Sequence, residues 1–323
     1  MGAGRSLTLK QYFRFVKIHT STLSLFGYGL GAAIIYLLNG NWNWQNSLIF
    51  FVASMIFDNM ITGVNTVMDY VMAKDERFKE ISVMTVENIS VKQAFSVIGL
   101  MVTLGAGLGL WLCFRTNWML FFLGGAMFLI FAFYTSGPFP ISRMPLGEAF
   151  SGTAQGLGIP FLFVFVNDNY NRLLALNFTP AANGYNFSIT GNLRDLITVV
   201  LICVPAWLYT SNVMLADNLS DRVLDEANGR HTLPVVFGAK KALLLYQTLA
   251  YLPYLFIAAA ALLHITPYLS LLSLLTFPLI RKNVETFRKR QVKSETFVTA
   301  LQNFQIVTTA QIITITLGVW LKF

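Results

Sequence analysis

The chain is short of charge and of cysteine. Asp, Glu, Lys and Arg together supply 12% of its 323 residues, against roughly a quarter in soluble globular proteins. The only two cysteines, Cys113 and Cys203, both lie within apolar runs, so neither a disulfide framework nor a cysteine-ligated metal is indicated. Hydrophobic residues supply 55% of the chain, which is more than a soluble protein of this length could bury. The composition therefore predicts an integral membrane protein in contact with the lipid bilayer.

Long apolar runs recur along the whole sequence. About 20 apolar residues in an α-helix cross the roughly 30 Å of hydrocarbon in a bilayer. Nine such runs cover residues 20–38, 47–71, 93–113, 118–134, 147–166, 193–215, 242–263, 266–280 and 298–321. The run at 266–280 is the weakest, because it is short and contains Pro267 and Pro278. We expect an all-α membrane protein of nine transmembrane helices, forming one domain over residues 1–323, with a polar outer loop at 167–192.

Basic residues are distributed unevenly between alternate loops. With nine spans, 19 of the 23 Lys and Arg residues fall on the side of the N-terminus. Cytoplasmic loops of membrane proteins carry such an excess, so we expect a cytoplasmic N-terminus. Membrane orientation thus accounts for the net charge of +8, and nucleic-acid binding is not needed to explain it. The basic segment at 281–293 is interpreted in the same way, as an orientation signal that faces lipid head groups.

Acidic residues are scarce, yet three of them recur at every fourth position after the apolar run at 193–215. Asp217, Asp221 and Asp225 share one face of a helix at this spacing. Unpaired carboxylates at a membrane boundary are costly, so a cation is expected beside them. Oxygen ligands suit Mg²⁺, which keeps part of its water and binds substrate phosphates. The pattern therefore indicates a membrane enzyme that acts on a diphosphate.

The second span carries a similar polar face. Asp58, Asn65 and Asp69 are separated by seven and four residues, so they line one side of a helix whose cytoplasmic end is near Asp69. Asp58 lies about 16 Å deeper at 1.5 Å per residue. We therefore hypothesise that Asn65, Asp69, Asp217 and Asp221 surround one or two Mg²⁺ ions.

A charged segment follows each of these two helices. It contains Lys74 and Arg77 after the second span, and Arg222 and Arg230 after the sixth. Lys and Arg at these positions could bind the diphosphate oxygens that the metal leaves free. Alternatively, they form structural ion pairs with the acidic residues, or simply carry the positive-inside charge. The sequence leaves these alternatives open.

Several motifs together resemble one family. The segment Asp217-Asn218-Leu219-Ser220-Asp221-Arg222 is followed by Gly229-Arg230-His231-Thr232-Leu233-Pro234, and Tyr134-Thr135-Ser136-Gly137-Pro138-Phe139-Pro140 is followed by Leu146-Gly147-Glu148. Near the N-terminus stands Lys17-Ile18-His19-Thr20. These motifs resemble the UbiA-type superfamily of intramembrane aromatic prenyltransferases, and most of all its branch that prenylates 1,4-dihydroxy-2-naphthoate. The resemblance extends over nearly the whole chain.

The resemblance implies a bundle of nine helices around a central cavity, with the active site at the cytoplasmic face of a bacterial cell membrane. It implies Mg²⁺-dependent transfer of a polyprenyl group from polyprenyl diphosphate to 1,4-dihydroxy-2-naphthoate, giving demethylmenaquinone. Asp69, Asp217 and Asp221 would be the catalytic residues. Substrate-binding candidates are Lys74, Arg77, Arg222, Asp225 and Arg230 for the diphosphate, and Tyr134, Arg143 and Glu148 for the acceptor.

The first acidic motif departs from the pattern of the superfamily. Asn65 and Asp69 keep the outer spacing, but Thr66 replaces the inner Asp and Ala73 the last one. Three alternatives stay open. One is the same fold with another aromatic acceptor, such as 4-hydroxybenzoate. The second is a membrane transporter, because carboxylates within membranes often mark transport pathways. The third is a non-catalytic relative.

Overall fold

A computed structural model describes residues 7–38, 40–73, 76–135, 140–168 and 172–322. The described part of the chain is mostly helical. In chain order the α-helices are α1 (Leu9–Phe15), α2 (Thr22–Leu37), α3 (Trp44–Met72), α4 (Glu76–Ile81), α5 (Val83–Val86), α6 (Val91–Arg115), α7 (Met119–Thr135), α8 (Gly147–Ser151), α9 (Ile159–Val166), α10 (Leu193–Ser220), α11 (Arg222–Ala227), α12 (Leu233–Phe237), α13 (Ala239–Leu262), α14 (Phe277–Lys289) and α15 (Val298–Trp320).

The long helices begin at polar caps in the sequence. Asn43 accepts a hydrogen bond from the Asn46 amide at 3.1 Å at the start of α3. Asn192 accepts from the Arg194 amide at 2.9 Å at the start of α10, and Ser90 forms a capping box with Gln93 at the start of α6. Each cap satisfies amides that a helix N-terminus leaves without partners. The boundaries of these helices are therefore set by local sequence.

Among the described residues, five helical stretches are long and apolar enough to cross a membrane: α3, the continuous stretch Gly147–Val166, α6, α10 and α13. Two shorter apolar helices cover Leu23–Leu37 and Met119–Thr135. The chain is thus an integral membrane protein by length and composition of its helices. The count of nine spans and the cytoplasmic N-terminus stay predictions.

The weakest predicted span has a different structure from the one expected. Residues Tyr268–Thr276 form a 3₁₀ helix, and α14 begins at Phe277, next to Pro278. Proline favours the first turn of a helix, where its missing amide has no partner to lose. The helix α14 then continues into the basic segment, beyond the predicted end at residue 280. The apolar run at 266–280 is therefore divided between two helices.

The prediction of an entirely α-helical fold is wrong in one place, within the predicted outer loop. Strands β1 (Ala175–Ala181) and β2 (Gly184–Thr190) form an antiparallel hairpin. Gly184 follows the turn with a φ of 137°, a conformation that L-residues with side chains rarely adopt. The apolar residues that alternate along both strands are mostly exposed. This alternation is the usual signal of a strand, but it lies within a polar, Asn-rich segment that the sequence predicts to be a loop.

Helix α10 lies at the centre of the bundle. In its most apolar 18-residue window 72% of the residues are buried, against 28% for α6. One neighbour is a π-helical segment, Gly152–Gly158, between α8 and α9. A Cβ at Gly156 would come within 2.6 Å of the Ala206 carbonyl oxygen in α10, so glycine is needed for this close approach. The tight contact carries Gln155 to the wall of a cavity beside α10.

Candidate active site

A cavity of about 1070 Å³ lies between α3 and α10. Residues of α1, α7, α11, α15 and the π-helical segment also line it. Eight of the predicted site residues line it: Asn65, Asp69, Tyr134, Arg143, Asp217, Asp221, Asp225 and Arg230. Glu148, Arg77 and Arg222 are not among the lining residues, and Lys74 lies outside the described residues. The two acidic helices predicted from the sequence thus do face one space.

Arg230 connects the end of α3 with α11. One terminal guanidinium nitrogen lies 2.9 Å from the Asp69 carboxylate, and the other lies 3.1 Å from the Asp225 carboxylate. Thr232 also donates to Asp225, at 3.2 Å. Asp225 is 3% exposed, and its burial raises the pKa of the carboxyl group while the nearby Arg230 charge opposes that rise. These contacts form a charged network at the mouth of the cavity.

Arg143 is the second cation beside Asp69. Its terminal nitrogen lies 3.7 Å from the Asp69 carboxylate. The Arg143 carbonyl accepts a hydrogen bond from the His231 amide at 2.8 Å, which joins the segment after α7 to the segment after α11. Burial lowers the pKa of the Arg143 guanidinium, and the neighbouring Arg230 charge lowers it further. Two guanidinium groups therefore converge on one carboxylate.

Asp217 and Asp221 hold a different cation. The Lys293 ammonium lies 3.0 Å from an Asp217 oxygen and also pairs with an Asp221 oxygen. The carboxylates come from adjacent turns of α10 and its C-terminal cap, and the lysine comes from the turn between α14 and α15. Burial lowers the pKa of Lys293, but the two carboxylates outweigh it and hold the pKa above its ordinary value. Lys293 was not predicted as a site residue, because it stands in the basic segment interpreted as an orientation signal.

Three other predicted site residues form hydrogen bonds with neighbouring protein groups: Asn65, Tyr134 and Glu148. Asn65 accepts a hydrogen bond from Thr135, and the Tyr134 hydroxyl donates to the Gly147 carbonyl at 3.4 Å. Glu148 is 4% exposed and accepts from the Asn218 amide at 2.8 Å. Asn218 itself lines the cavity, so Glu148 stands one residue behind the wall.

The structure explains why Thr66 can stand where the superfamily motif has an Asp. Thr66 is buried and its hydroxyl lies 3.1 Å from the Phe15 carbonyl oxygen, on the side of α3 that packs against α1. Thr66 is not among the residues that line the cavity, whereas Ala73 is. An acidic side chain at position 66 would therefore point away from Asp69 and its partners.

A deeper carboxylate also lines the cavity. Asp58 is 6% exposed and accepts hydrogen bonds from Gln155 at 3.0 Å and from Ser24 at 3.2 Å. Around it the wall is largely apolar, with Ile61, Ile130, Phe131, Ala154, Val213, Met214 and Leu301. The cavity thus combines a charged mouth with a largely apolar interior that contains a few polar side chains, among them Asp58 and Gln155.

The donor set suits a divalent cation. In the described part of the chain no three His, Cys, Asp or Glu side chains lie close enough together to hold a metal ion. Mg²⁺ typically binds through one or two carboxylates, with substrate phosphate and water oxygens as its other ligands. Asp217 and Asp221 meet that requirement, since together they already hold the charge of Lys293. Asp69 and Asn65 belong to the opposite wall of the same cavity.

The sequence is similar to those of known proteins. Residues 25–304 match the UbiA prenyltransferase family. The 1,4-dihydroxy-2-naphthoate octaprenyltransferase of Bacillus subtilis (strain 168) is 26% identical over 138 residues, which are 43% of this chain and 37% of that relative's length.

Solved structures share the fold. The apo structure of a UbiA homolog from Aeropyrum pernix K1 has a TM-score of 0.66 at 15% identity, over 90% of this chain and 98% of that one. A UbiA homolog from Archaeoglobus fulgidus bound to GPP and Mg²⁺ has a TM-score of 0.60 at 13% identity, over 96% of this chain and 99% of that one. Both the sequence match and the shared fold cover most of the molecule, and the chain belongs to the UbiA prenyltransferase family.

Proposed function

We propose that this protein transfers a polyprenyl group from polyprenyl diphosphate to 1,4-dihydroxy-2-naphthoate, with Mg²⁺ as cofactor, at the cytoplasmic face of a bacterial cell membrane. The observation that carries the proposal is the cavity itself, where acidic and basic side chains meet at the mouth of an apolar chamber. The relative from Bacillus subtilis supports the acceptor by its name. The homolog that binds GPP and Mg²⁺ supports the donor and the cofactor.

Charge at the mouth suits a diphosphate. In the part of the chain that the structure describes, five cationic side chains line the cavity: Arg14, Lys17, Arg143, Arg230 and Lys293. Guanidinium groups bind phosphate oxygens in a bidentate way. Arg230 and Arg143 are both mostly shielded from solvent, at 23% and 14% exposed, which strengthens their interaction with an anion. A diphosphate at the mouth therefore meets fixed positive charge on the side of α3.

Asp217 and Asp221 would hold the Mg²⁺, with Asp69 and Asn65 opposite them. Bound there, the ion would neutralise negative charge on the diphosphate leaving group. In the transfer, the C–O bond of the prenyl diphosphate breaks and its electron pair leaves with the diphosphate. The ring carbon that bears the acceptor carboxylate forms the new C–C bond, and the carboxylate leaves as CO₂, whose bonding electrons restore the aromatic ring. Arg230 stabilises the charge that develops on the leaving oxygen.

The apolar chamber serves the two organic groups. Ile130, Phe131, Val213, Met214 and Leu301 offer an apolar wall to the prenyl chain, and they exclude water that would capture an allylic cation. Tyr134 and Arg143 line the cavity and are proposed to orient the acceptor, with Glu148 acting through Asn218. Asp58 provides a hydrogen-bond acceptor deeper in the chamber.

The proposal is tested with purified protein in lipid nanodiscs. The assay offers a prenyl diphosphate with 1,4-dihydroxy-2-naphthoate, 4-hydroxybenzoate or no acceptor, each with Mg²⁺ or with EDTA, and identifies products by mass spectrometry. We expect a prenylated, decarboxylated naphthalene product that requires Mg²⁺. A product with 4-hydroxybenzoate alone would assign another acceptor, and no product with any acceptor would contradict the proposed activity.

A further inference from the structure

Lys293 is the only one of the basic residues at 281–293 that lines the cavity. Its turn is fixed by Thr296, whose hydroxyl lies 2.9 Å from the Val292 amide and 2.8 Å from the Arg290 carbonyl oxygen. The backbone therefore presents the lysine to α10 from a defined position. The side chain itself is 50% exposed, so half of its surface is open to solvent.

The ammonium group lies where a cation shared by two carboxylates is expected. It contacts one oxygen of Asp217, at 3.0 Å, and one oxygen of Asp221. The two carboxylates are 29% and 25% exposed. If Lys293 were removed, each would therefore keep a partly buried charge and lose this ion pair. A single positive group bridging two carboxylates resembles the arrangement that a divalent ion adopts with one or two protein carboxylates.

The cations beside Asp69 have further contacts and are less exposed. Arg230 also pairs with the buried Asp225, and Arg143 is tied through its carbonyl to the His231 amide. Their side chains are 23% and 14% exposed, less than half the value for Lys293. Of Arg143, Arg230 and Lys293, the lysine is thus the most exposed.

We propose that Lys293 is the resident counter-ion of Asp217 and Asp221 when no metal is bound, that a divalent cation displaces it, and that the released ammonium group then binds the diphosphate. This inference rests on the metal site of the proposed function. Lys293 would then have opposite effects on the binding of the metal and on the binding of the diphosphate. Lys293 competes with the metal while the substrate is absent, and it favours the anion once the metal is present.

The experiment measures Mn²⁺ binding by electron paramagnetic resonance in nanodiscs, without substrate and then with inorganic pyrophosphate. Removing the competing ammonium in K293M should tighten Mn²⁺ binding roughly two- to fivefold, the range of one partly exposed ion pair. It should also weaken pyrophosphate binding to the Mn²⁺-loaded protein by a similar factor. K293R, which keeps the charge, should bind Mn²⁺ like the original protein.

A matched control comes from the same basic segment. Lys289 is exposed, ends α14 and does not line the cavity, so K289M should leave both affinities unchanged. If D217N weakens Mn²⁺ binding but K293M matches K289M, the role of Lys293 is refuted while the metal site stands. If D217N has no effect either, the metal site itself is wrong, and the inference falls with it.

Discussion

The acidic ends of α3 and α10 face the same cavity but are neutralised in different ways. Asp69 pairs with Arg230 and Arg143, which also join separate segments of the backbone to one another. Asp217 and Asp221 share one half-exposed lysine from a turn. The same residue type, at equivalent ends of two long helices, is thus part of the framework in one case and available for exchange in the other. The difference lies in the partners.

The largest effect should follow from removing a carboxylate on the α10 side. We expect D217A and D221A each to lower the rate of prenyl transfer by at least about 100-fold, because the charge that holds the cofactor is lost. Turnover with a prenyl diphosphate and 1,4-dihydroxy-2-naphthoate measures this. The control is E285A, which removes a half-exposed carboxylate paired with Arg281 on α14 and should keep full activity. Near-normal turnover of D217A would remove the metal-site proposal.

A second test compares the two kinds of cation by their effect on stability. In R230M the buried Asp225 and the partly buried Asp69 lose their main partner, so we expect a loss of about 3 kcal/mol in the free energy of unfolding. K293M should lose less than about 1 kcal/mol, since its pair is closer to solvent. Unfolding in detergent, followed by intrinsic fluorescence, gives both values. Equal losses would show that the two ends of the cavity do not differ as described.

The smallest expected effect comes from adding a carboxylate on the α3 side. Ala73 lines the cavity, whereas Thr66 packs against α1. We therefore expect A73D to tighten Mn²⁺ binding about two- to fivefold, the range of a single weak charge contact. T66D should give no such gain and should lower the unfolding temperature, because it buries a charge. Tighter Mn²⁺ binding by T66D than by A73D would contradict the placement of these two side chains.

Much of the site was predictable because helical spacing is local. The recurrence of Asp217, Asp221 and Asp225 at every fourth residue requires a shared helix face wherever the helix lies, and the polar positions Asn65 and Asp69 follow the same rule. The spacing also predicts that these two faces meet, and one cavity is lined by both of them. The exposed hairpin was missed because its apolar residues are few and lie among Asn and Thr.

Lys293 shows where sequence reasoning stops. The segment 281–293 contains several Lys and Arg residues, and the excess of positive charge in cytoplasmic loops explains all of them equally well. Only one is placed beside Asp217, by a turn between α14 and α15 that brings together residues 76 positions apart. Arg77 and Arg222, which stand next to the acidic motifs in the sequence, do not line the cavity.

Composition and periodicity alone determined that this chain enters a membrane as long helices and that two of them carry acidic residues on one face, because both properties depend on residues within a few turns of each other. Tertiary structure decided which cation reaches which carboxylate. Ion pairs such as Arg230 with Asp69 and Lys293 with Asp217 join distant segments, and their partners are set by how helices pack, which no local pattern records.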